Sequence, residues 1–348
     1  MDVKEIVNEF NEKYHYYELL DQKVTEILTE IVEENDFFIL PIMHRIKSKD
    51  SLTHKVQKKK NVVHKLNDLG DVCAFRIIAY FEDDIDRIGE AISKRLNIEE
   101  IVDKRKTLEA TQFGYLSLHY ICTLKSEDLP DPACDGILFE IQMRTVLQHA
   151  WAEIEHDLGY KSAYGVPAPI RRNFSKVASL LEVADNEFIR LRDSSNAYNE
   201  EVRTKIVNGT ANNLLLDHVS LYKYMELNTG MQEYYQSLLN DLNIEIYVTD
   251  TDNYLEQLRW LGITTLGQLN ECFMEHKDRI TWLFKERLKT IEFDFASCTI
   301  VIRYMCTAEL VKRQLSDVEL KQYYAIFMPA DKIDEKIDKI KEYTSKLQ

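Results

Sequence analysis

Hydrophobic residues recur every three or four positions along the first 35 residues, with glutamate and lysine between them. This spacing places the apolar side chains on one face of a helix and the charged side chains on the other. We therefore predict an amphipathic helix over residues 1–35, with an apolar face formed by Val3, Ile6, Val7, Phe10, Tyr14, Tyr17, Leu20, Val24, Ile27, Leu28 and Ile31.

Short apolar runs replace the helical spacing in the middle of the chain. Residues 71–80 read DVCAFRIIAY, a β-branched and nearly continuous apolar run that is typical of a central strand buried on both faces. Two further segments, 115–124 and 136–143, are also predicted strands.

Helices are predicted around these strands. Acidic residues favour a helix N-terminus at the start of 83–96, and Thr145 is expected to cap a helix that runs to about Leu158 and ends at Gly159. The resulting order of helix, strand, helix, strand, strand and helix predicts an α/β (α+β) domain with a mixed central sheet flanked by helices.

The chain changes character after Pro167 and Pro169, which mark a break. We predict a helix at 170–192 and a domain boundary near residue 195, giving a first domain at 1–194 and a mainly α-helical second domain at 195–348. In the second domain we predict one strand at 244–248 and helices at 254–261, 266–276, 278–289 and 330–347.

Charge narrows the range of partners. The 348 residues include 59 acidic and 44 basic side chains, a formal net charge of -15 that argues against a chain-wide surface for nucleic acid or anionic membranes. The chain has no long uncharged apolar run, and its start is charged and acidic. We therefore expect a cytoplasmic protein with no membrane partner.

Two carboxylates stand in apolar strand segments, Asp71 at the start of one and Glu140 within another. Burying a carboxylate in such a place costs several kcal/mol of folding free energy unless it is paired, hydrogen-bonded or metal-bound. A salt bridge from Glu140 to Arg76 or Arg144 would explain it. The alternative is that both carboxylates hold Mg²⁺ beside substrate phosphates.

A cationic segment at residues 45–60 offers charges that could neutralise a polyphosphate, although such a helix can also be a solvated surface. Gly114 and Tyr115 open a predicted strand and could present an aromatic face to a base. His149, Glu153 and His156 share one helical face, but they lack a further ligand, and we assign them no metal role.

Five motifs follow one another in a fixed order, and together they are specific where each alone is weak. They are Arg45-Ile46-Lys47-Ser48 with Ser51 and Lys55, residues 71–77, residues 114–119, residues 140–145, and Trp151-Ala152 with Glu155-His156 and Tyr160-Lys161. This order resembles the nucleotidyltransferase domain of RelA/SpoT-type alarmone synthetases over residues 40–165. With only about 40 residues before it, we expect no preceding hydrolase domain, as in the small alarmone synthetases.

The resemblance implies Mg²⁺-dependent transfer of the β,γ-pyrophosphate of ATP to the 3′-hydroxyl of GDP or GTP, which makes (p)ppGpp in the stringent response. It assigns metal binding to Asp71 and Glu140, with Arg144 as a further catalytic residue and Glu140 alternatively as proton acceptor. It assigns ATP binding to Arg45, Lys47, Ser48, Ser51, Lys55 and Arg76. It assigns acceptor binding to Tyr115, Ser117, His119 and Gln142.

The acceptor side departs from the family pattern, since Thr111 stands where the family has lysine and Phe113 where it has asparagine. Two alternatives therefore stay open. One is a toxic synthetase that pyrophosphorylates adenine nucleotides or tRNA 3′ ends in a toxin-antitoxin or phage-defence system. The other is an inactive nucleotide-binding module. The second domain leaves homo-oligomer formation, autoinhibition and partner binding open.

Overall fold

The computed structural model describes residues 3–58, 62–103, 105, 117–160 and 168–347. The chain divides into two compact units, Met1–Asp193 and Ser194–Gln348. In the described part of the chain, no helix is both long and apolar enough to cross a membrane.

The first unit is a mixed sheet with helices around it. The strands lie in the order β1-β2-β5-β4-β3, and β2 pairs with β5 in parallel while the other neighbours are antiparallel. The strands are β1 (Met43–Ile46), β2 (Cys73–Ala79), β3 (Asn97–Asp103), β4 (Leu118–Thr123) and β5 (Phe139–Thr145). The helices are α1 (Val3–Glu34), α2 (Lys49–Lys58), α3 (Glu82–Arg95), α4 (Val146–Tyr160) and α5 (Ala168–Val207), and the division between the units falls within α5.

The two faces of this sheet differ in chemistry because side chains alternate along each strand. One face of β5 carries Phe139, Ile141 and Met143, which are fully buried in a core shared with α1 and α3. The opposite face of the same strand carries Glu140 and Gln142, followed by Arg144. The apolar face therefore anchors the sheet in the hydrophobic core, and the polar face is available for a binding or catalytic site.

The mixed sheet flanked by helices confirms the predicted fold class, with two strands added. β1 and β3 were not predicted, because neither strand has a fully buried position and neither shows the apolar alternation of a half-buried strand. The helix predicted to end at Leu158 continues to Tyr160 as α4, so Gly159 lies inside it rather than after it. An isolated helical glycine costs only ~1 kcal/mol and does not stop a helix.

The second unit is largely helical, as predicted. Its helices after α5 are α6 (His218–Leu227), α7 (Thr229–Leu242), α8 (Leu255–Trp260), α9 (Leu266–Leu288), α10 (Cys298–Arg313), α11 (Asp317–Tyr324) and α12 (Ile333–Leu347). The short strands β6 (Glu245–Tyr247) and β7 (Phe295–Ser297) pair in parallel. Side chains at Asp217, Thr265 and Ser316 cap three of these helices through reciprocal capping boxes.

Two predictions in the second unit need correction. The helices predicted at 266–276 and 278–289 are the single helix α9, because buried Phe273, Ile280 and Phe284 continue one apolar face through it. The helices α6, α7, α10 and α11 were not predicted. The strand predicted at 244–248 is β6, and its partner β7 was missed.

Candidate functional site

The two strand-segment carboxylates lie close enough for the charge of one to act on the other. Asp71 lies two residues before β2, and Glu140 lies in the neighbouring parallel strand β5, where its register partner is Ala74. Gly70 lets the chain approach β4 closely, since a Cβ at this position would lie 2.9 Å from Ile121 Cδ1. The charge of Asp71 reaches Glu140 and acts to raise its pKa.

Asp71 is only half satisfied by its neighbours. Its Oδ2 accepts hydrogen bonds from Lys47 Nζ at 2.7 Å and from Lys55 Nζ, whereas its Oδ1 is buried without a hydrogen-bond partner in the described structure. Burial acts to raise the pKa of Asp71, but the two lysines outweigh it and hold this pKa below its ordinary value. Asp71 is therefore a carboxylate ion with one oxygen available to a further ligand.

Glu140 lies in a chain of hydrogen bonds across β4 and β5. Its Oε1 contacts His119 Nδ1 at 2.8 Å, and its Oε2 accepts from Gln142 Nε2 at 2.8 Å. Ser117 Oγ lies 2.6 Å from His119 Nε2, and Arg144 donates to Gln142 Oε1 at 3.0 Å. Burial acts to raise the pKa of Glu140, but His119 and Gln142 hold it below its ordinary value.

The described contacts oppose the simplest salt-bridge interpretation of Glu140. Arg76 Nη1 donates to Glu153 Oε1 of α4 at 2.9 Å, so the predicted pairing of Arg76 with Glu140 is replaced by a pairing with the helix. This contact holds the Arg76 side chain beside a small cleft that is also lined by Arg45 and Gln142. The predicted ATP-side and acceptor-side residues thus meet on one surface.

The cations of this surface come from β1, from α2 and from the two residues between them. Arg45 of β1 is exposed and pairs in register with Ala74 of β2. Burial lowers the pKa of Lys47, although its bond to Asp71 opposes this. Ser48 Oγ accepts the Ser51 backbone N–H at 3.3 Å and contacts Ser51 Oγ at 2.9 Å, so the pair caps the first turn of α2.

Residues 106–116 lie outside the described residues. The predicted base-stacking residue Tyr115 belongs to this segment, as do Thr111 and Phe113, and Lys59 and Lys60 fall in another such gap. The predicted acceptor residues Ser117, His119 and Gln142 are described and lie together.

Sequence reasoning gave Glu153 no role at the site and did not identify Asp185. Glu153 positions Arg76, as described above. Asp185 of α5 is 2% exposed and accepts a hydrogen bond from Thr145 Oγ1 at 2.9 Å at the end of β5. Burial raises the pKa of Asp185 to about 6. An acidic residue beside the apolar stripe of the predicted helix was the available signal for Asp185.

The donor set suits a hard divalent cation. Mg²⁺ prefers carboxylate oxygens and commonly binds one or two of them together with substrate phosphates. The unpartnered Oδ1 of Asp71 and the ionised Glu140 on the next strand supply such oxygens. The lysines around Asp71 would sit beside the phosphates that complete the coordination.

Comparisons with known proteins agree with the motif order. Residues 44–164 match the family model described as a region found in RelA/SpoT proteins. GTP pyrophosphokinase YjbM of Bacillus subtilis is 28% identical over 149 residues, which are 42% of this chain and 69% of that protein. GTP pyrophosphokinase YwaC of the same organism is 26% identical over 166 residues, covering 44% of this chain and 74% of that protein.

Among solved structures, the crystal structure of small alarmone synthetase 1 from Bacillus subtilis has a TM-score of 0.48 at 23% identity. The match covers 55% of this chain and 99% of that chain. The family match confirms the resemblance seen in the motifs: the first unit contains a RelA/SpoT-type domain.

Proposed function

We propose that this chain, through its RelA/SpoT-type domain, transfers the β,γ-pyrophosphate of ATP to the 3′-hydroxyl of GDP or GTP and so makes (p)ppGpp for a stringent response. One observation carries the proposal: two ionised carboxylates interact, Asp71 just before β2 and Glu140 in the neighbouring strand β5, and Asp71 keeps a buried oxygen without a partner among the described residues. The domain around them matches relatives that are GTP pyrophosphokinases.

The ATP side of the proposal rests on the cationic surface. Lys47 and Lys55 converge on Asp71 and would neutralise the phosphates. Arg76 is held by Glu153 at the edge of the cleft, and the exposed Arg45 lies on the same side, where its planar guanidinium could cover the adenine. Ser48 and Ser51 set the start of the helix that carries Lys55.

The chemical step forms one bond and breaks one bond. The 3′-oxygen of the acceptor attacks the β-phosphorus of ATP, the bond from that phosphorus to the oxygen bridging to the α-phosphorus breaks, and AMP leaves. Asp71 and Glu140 would hold Mg²⁺, which supplies charge neutralisation for the phosphates. In the alternative to metal binding, Glu140 would accept the proton of the attacking hydroxyl, and in either role His119 and Gln142 fix its orientation.

The acceptor would approach from the β4 side of the sheet. Ser117, His119 and Gln142 present polar atoms there, and Arg144 adds a positive charge beside Gln142. Tyr115 is assigned to the acceptor base by the family motif. This geometry supports a site in which positioning and charge do most of the work, as phosphoryl-type transfer requires.

The test follows labelled phosphate. Protein with Mg²⁺ and ATP labelled at the γ-phosphate is offered GDP, GTP, ADP or bulk tRNA, and label is expected on the guanine nucleotides. Asp71→Asn and Glu140→Gln are expected to abolish transfer. The exposed Asp135→Asn and Glu127→Gln make the same chemical changes away from the site and serve as controls.

The acceptor screen also distinguishes the proposed function from the two alternatives. Label on ADP or tRNA in place of GDP and GTP would overturn the assignment of a guanine acceptor while preserving the pyrophosphokinase. ATP binding without transfer of label to any acceptor would overturn the enzyme itself and favour a nucleotide-binding module.

A further inference from the structure

The second unit contains a cavity that the proposed reaction does not use. Its volume is about 950 Å³, within the range of small-molecule sites. The walls come from the end of α9, the segment leading to β7, and the helices α10, α11 and α12. All of these elements belong to the second unit, so the cavity is complete within it.

Four cations face this cavity. Lys339 is paired with Glu335 at 2.9 Å, whereas no carboxylate of the described residues lies within ion-pair distance of Arg287, Arg303 or Lys336. Burial lowers the pKa of Lys336, and the charges of Arg303, Lys339 and Arg287 lower it further, while the charge of Glu335 opposes them in part. The cations therefore repel one another across a shared space, and an anion placed there would relieve the repulsion.

One carboxylate, Asp250, also lines the cavity, and it lies 3.7 Å from His218 Nδ1. The cations still outnumber it in a chain whose total charge is -15. A local excess of positive charge in an acidic protein is unlike a solvated surface of mixed charge, and it indicates an anionic ligand.

Aromatic and apolar side chains line the same cavity. Phe295 is 68% exposed and Phe327 is 40% exposed, and both are lining residues. The charge of Arg303 also acts on Tyr254, Tyr304 and Tyr324, whose pKa values are raised by burial and lowered in part by this guanidinium. The cationic and aromatic parts of the wall are therefore contiguous.

We infer that this cavity binds a free nucleotide, with its phosphates on Arg287, Arg303 and Lys336 and its base against the aromatic wall. Three of the cations have no ion-pair partner among the described residues, and their combination with exposed aromatic rings matches a ligand that is both polyanionic and planar. This would be a second nucleotide site, separate from the synthetase surface, and it stands whether or not the first unit transfers pyrophosphate.

Hydrogen exchange with mass spectrometry tests the inference on the full chain, because it reports each site separately. ATP and GTP are titrated, and protection is expected in peptides covering residues 287–307 and 333–343. Peptides covering residues 45–79 and 139–145 report the synthetase surface in the same sample. Protection of those peptides alone would overturn the second site, and protection of the second-unit peptides alone would overturn the proposed function instead.

Charge reversal provides the specific test. Arg303→Glu and Lys336→Glu are each expected to raise the dissociation constant at the second site by about tenfold or more, since each removes a charge-assisted contact. Lys285→Glu is the matched control, because Lys285 is an exposed cation on α9 that does not line the cavity. Equal weakening by the control and the two variants would overturn the inference.

Pyrophosphate separates a nucleotide site from a simple anion site. Phe295→Ala leaves the cations in place, so it is expected to weaken ATP and GTP binding several-fold and to leave pyrophosphate binding unchanged. If pyrophosphate binds the wild-type protein as tightly as the nucleotides do, the base makes no contribution and the assignment to a nucleotide is wrong.

Discussion

Two carboxylates with lowered pKa values, Asp71 in the first unit and Glu309 in the second, differ in how their oxygens are used. Glu309 is 8% exposed, its Oε2 lies 2.7 Å from His276 Nε2, and its Oε1 accepts from Arg313 Nε at 2.7 Å. Asp71 receives two lysines on one oxygen and has no described partner on the other. Both oxygens of Glu309 therefore have partners within the fold, whereas one oxygen of Asp71 remains available to a ligand.

Judged by residue type alone, the surroundings of Glu309 would look more like a metal site than the surroundings of Asp71. Cys272, His276 and Glu309 have ligand atoms that all lie within 4.8 Å of one another, so they form a set that could hold a metal ion. His276 is fully buried, however, and its Nδ1 lies 3.1 Å from Arg279 Nη1 while its Nε2 contacts Glu309. With both ring nitrogens in use, this cluster is a structural network. The hydrogen-bond partners of each polar atom therefore distinguish Asp71 from this structural cluster, although residue type does not.

The largest expected effect is on activity. Asp71→Asn should lower kcat by about 10³-fold or more, because it removes a charge on which the phosphates and Mg²⁺ depend. It should lower the free energy of unfolding by only ~1 kcal/mol, since the amide oxygen still accepts from a lysine. Kinetics and chemical denaturation of the same preparation measure both quantities.

The control for this variant is Asp135→Asn, which should change neither quantity. A loss of stability that accounts for the loss of activity would contradict the contrast, because Asp71 would then be a structural carboxylate like Glu309.

The reverse pattern is expected at Glu309. Glu309→Gln should lower the free energy of unfolding of the second unit by ~3 kcal/mol, because His276 and Arg313 would face a neutral group in a buried place. Denaturant unfolding followed by the fluorescence of Trp260 and Trp282 would measure this loss.

Glu275→Gln is the matched control on α9. Glu275 pairs with Lys312, but both side chains are substantially exposed, so we expect a change of less than ~0.5 kcal/mol. Equal losses in the two variants would show that the buried network contributes no more than a surface ion pair.

The same network predicts a pH dependence for the second unit. The hydrogen bond from His276 lowers the pKa of Glu309, burial opposes this, and Arg313 lowers it further, to about 2. Because the folded pKa lies below the ordinary value near 4.3, the stabilisation is present above ~pH 4.5 and is lost as the pH falls towards 2. The stability difference between wild type and Glu309→Gln should shrink over that window, and a constant difference would contradict the network.

The sequence predicted the fold class because β2 is a nearly continuous apolar run and β5 has a fully apolar core face. Residues 71–80 contain β2, and the segment 136–143 overlaps β5. β1 and β3 escaped prediction because neither has a fully buried position, and their place in the sheet depends on pairing with other strands. In the second unit, α6, α7, α10 and α11 carry buried apolar residues at helical spacing, such as Met231, Tyr234 and Leu238 in α7, so the sequence held a signal that the prediction did not use.

The sequence allowed the residues of the candidate site to be predicted, but not the contacts between them. Carboxylates in apolar strands marked Asp71 and Glu140, and their assigned roles stay predictions. The bond of Arg76 to Glu153 joins residues 77 positions apart, and the missing partner of Asp71 Oδ1 is a property of three-dimensional packing. Sequence reasoning did not single out Glu309 or His276. His276 occurs in a helix rich in charged residues, whereas Glu309 lies in the largely apolar α10, where a carboxylate was the available signal.

The smallest expected effect concerns how the neighbours of Glu140 tune its charge. Gln142 donates a hydrogen bond to Glu140 and helps hold its pKa below the ordinary value against burial. Gln142→Leu removes that bond, so the pKa of Glu140 should rise and the acid limb of kcat should move to higher pH. At pH 7 most Glu140 would still be ionised, and activity should fall less than about tenfold.

The control is Ile121→Val, which alters a nonpolar register neighbour of Glu140 and should leave the acid limb in place. An acid limb that stays fixed in Gln142→Leu would show that ionisation of Glu140 does not control the reaction, and Asp71 would then be the carboxylate whose charge matters.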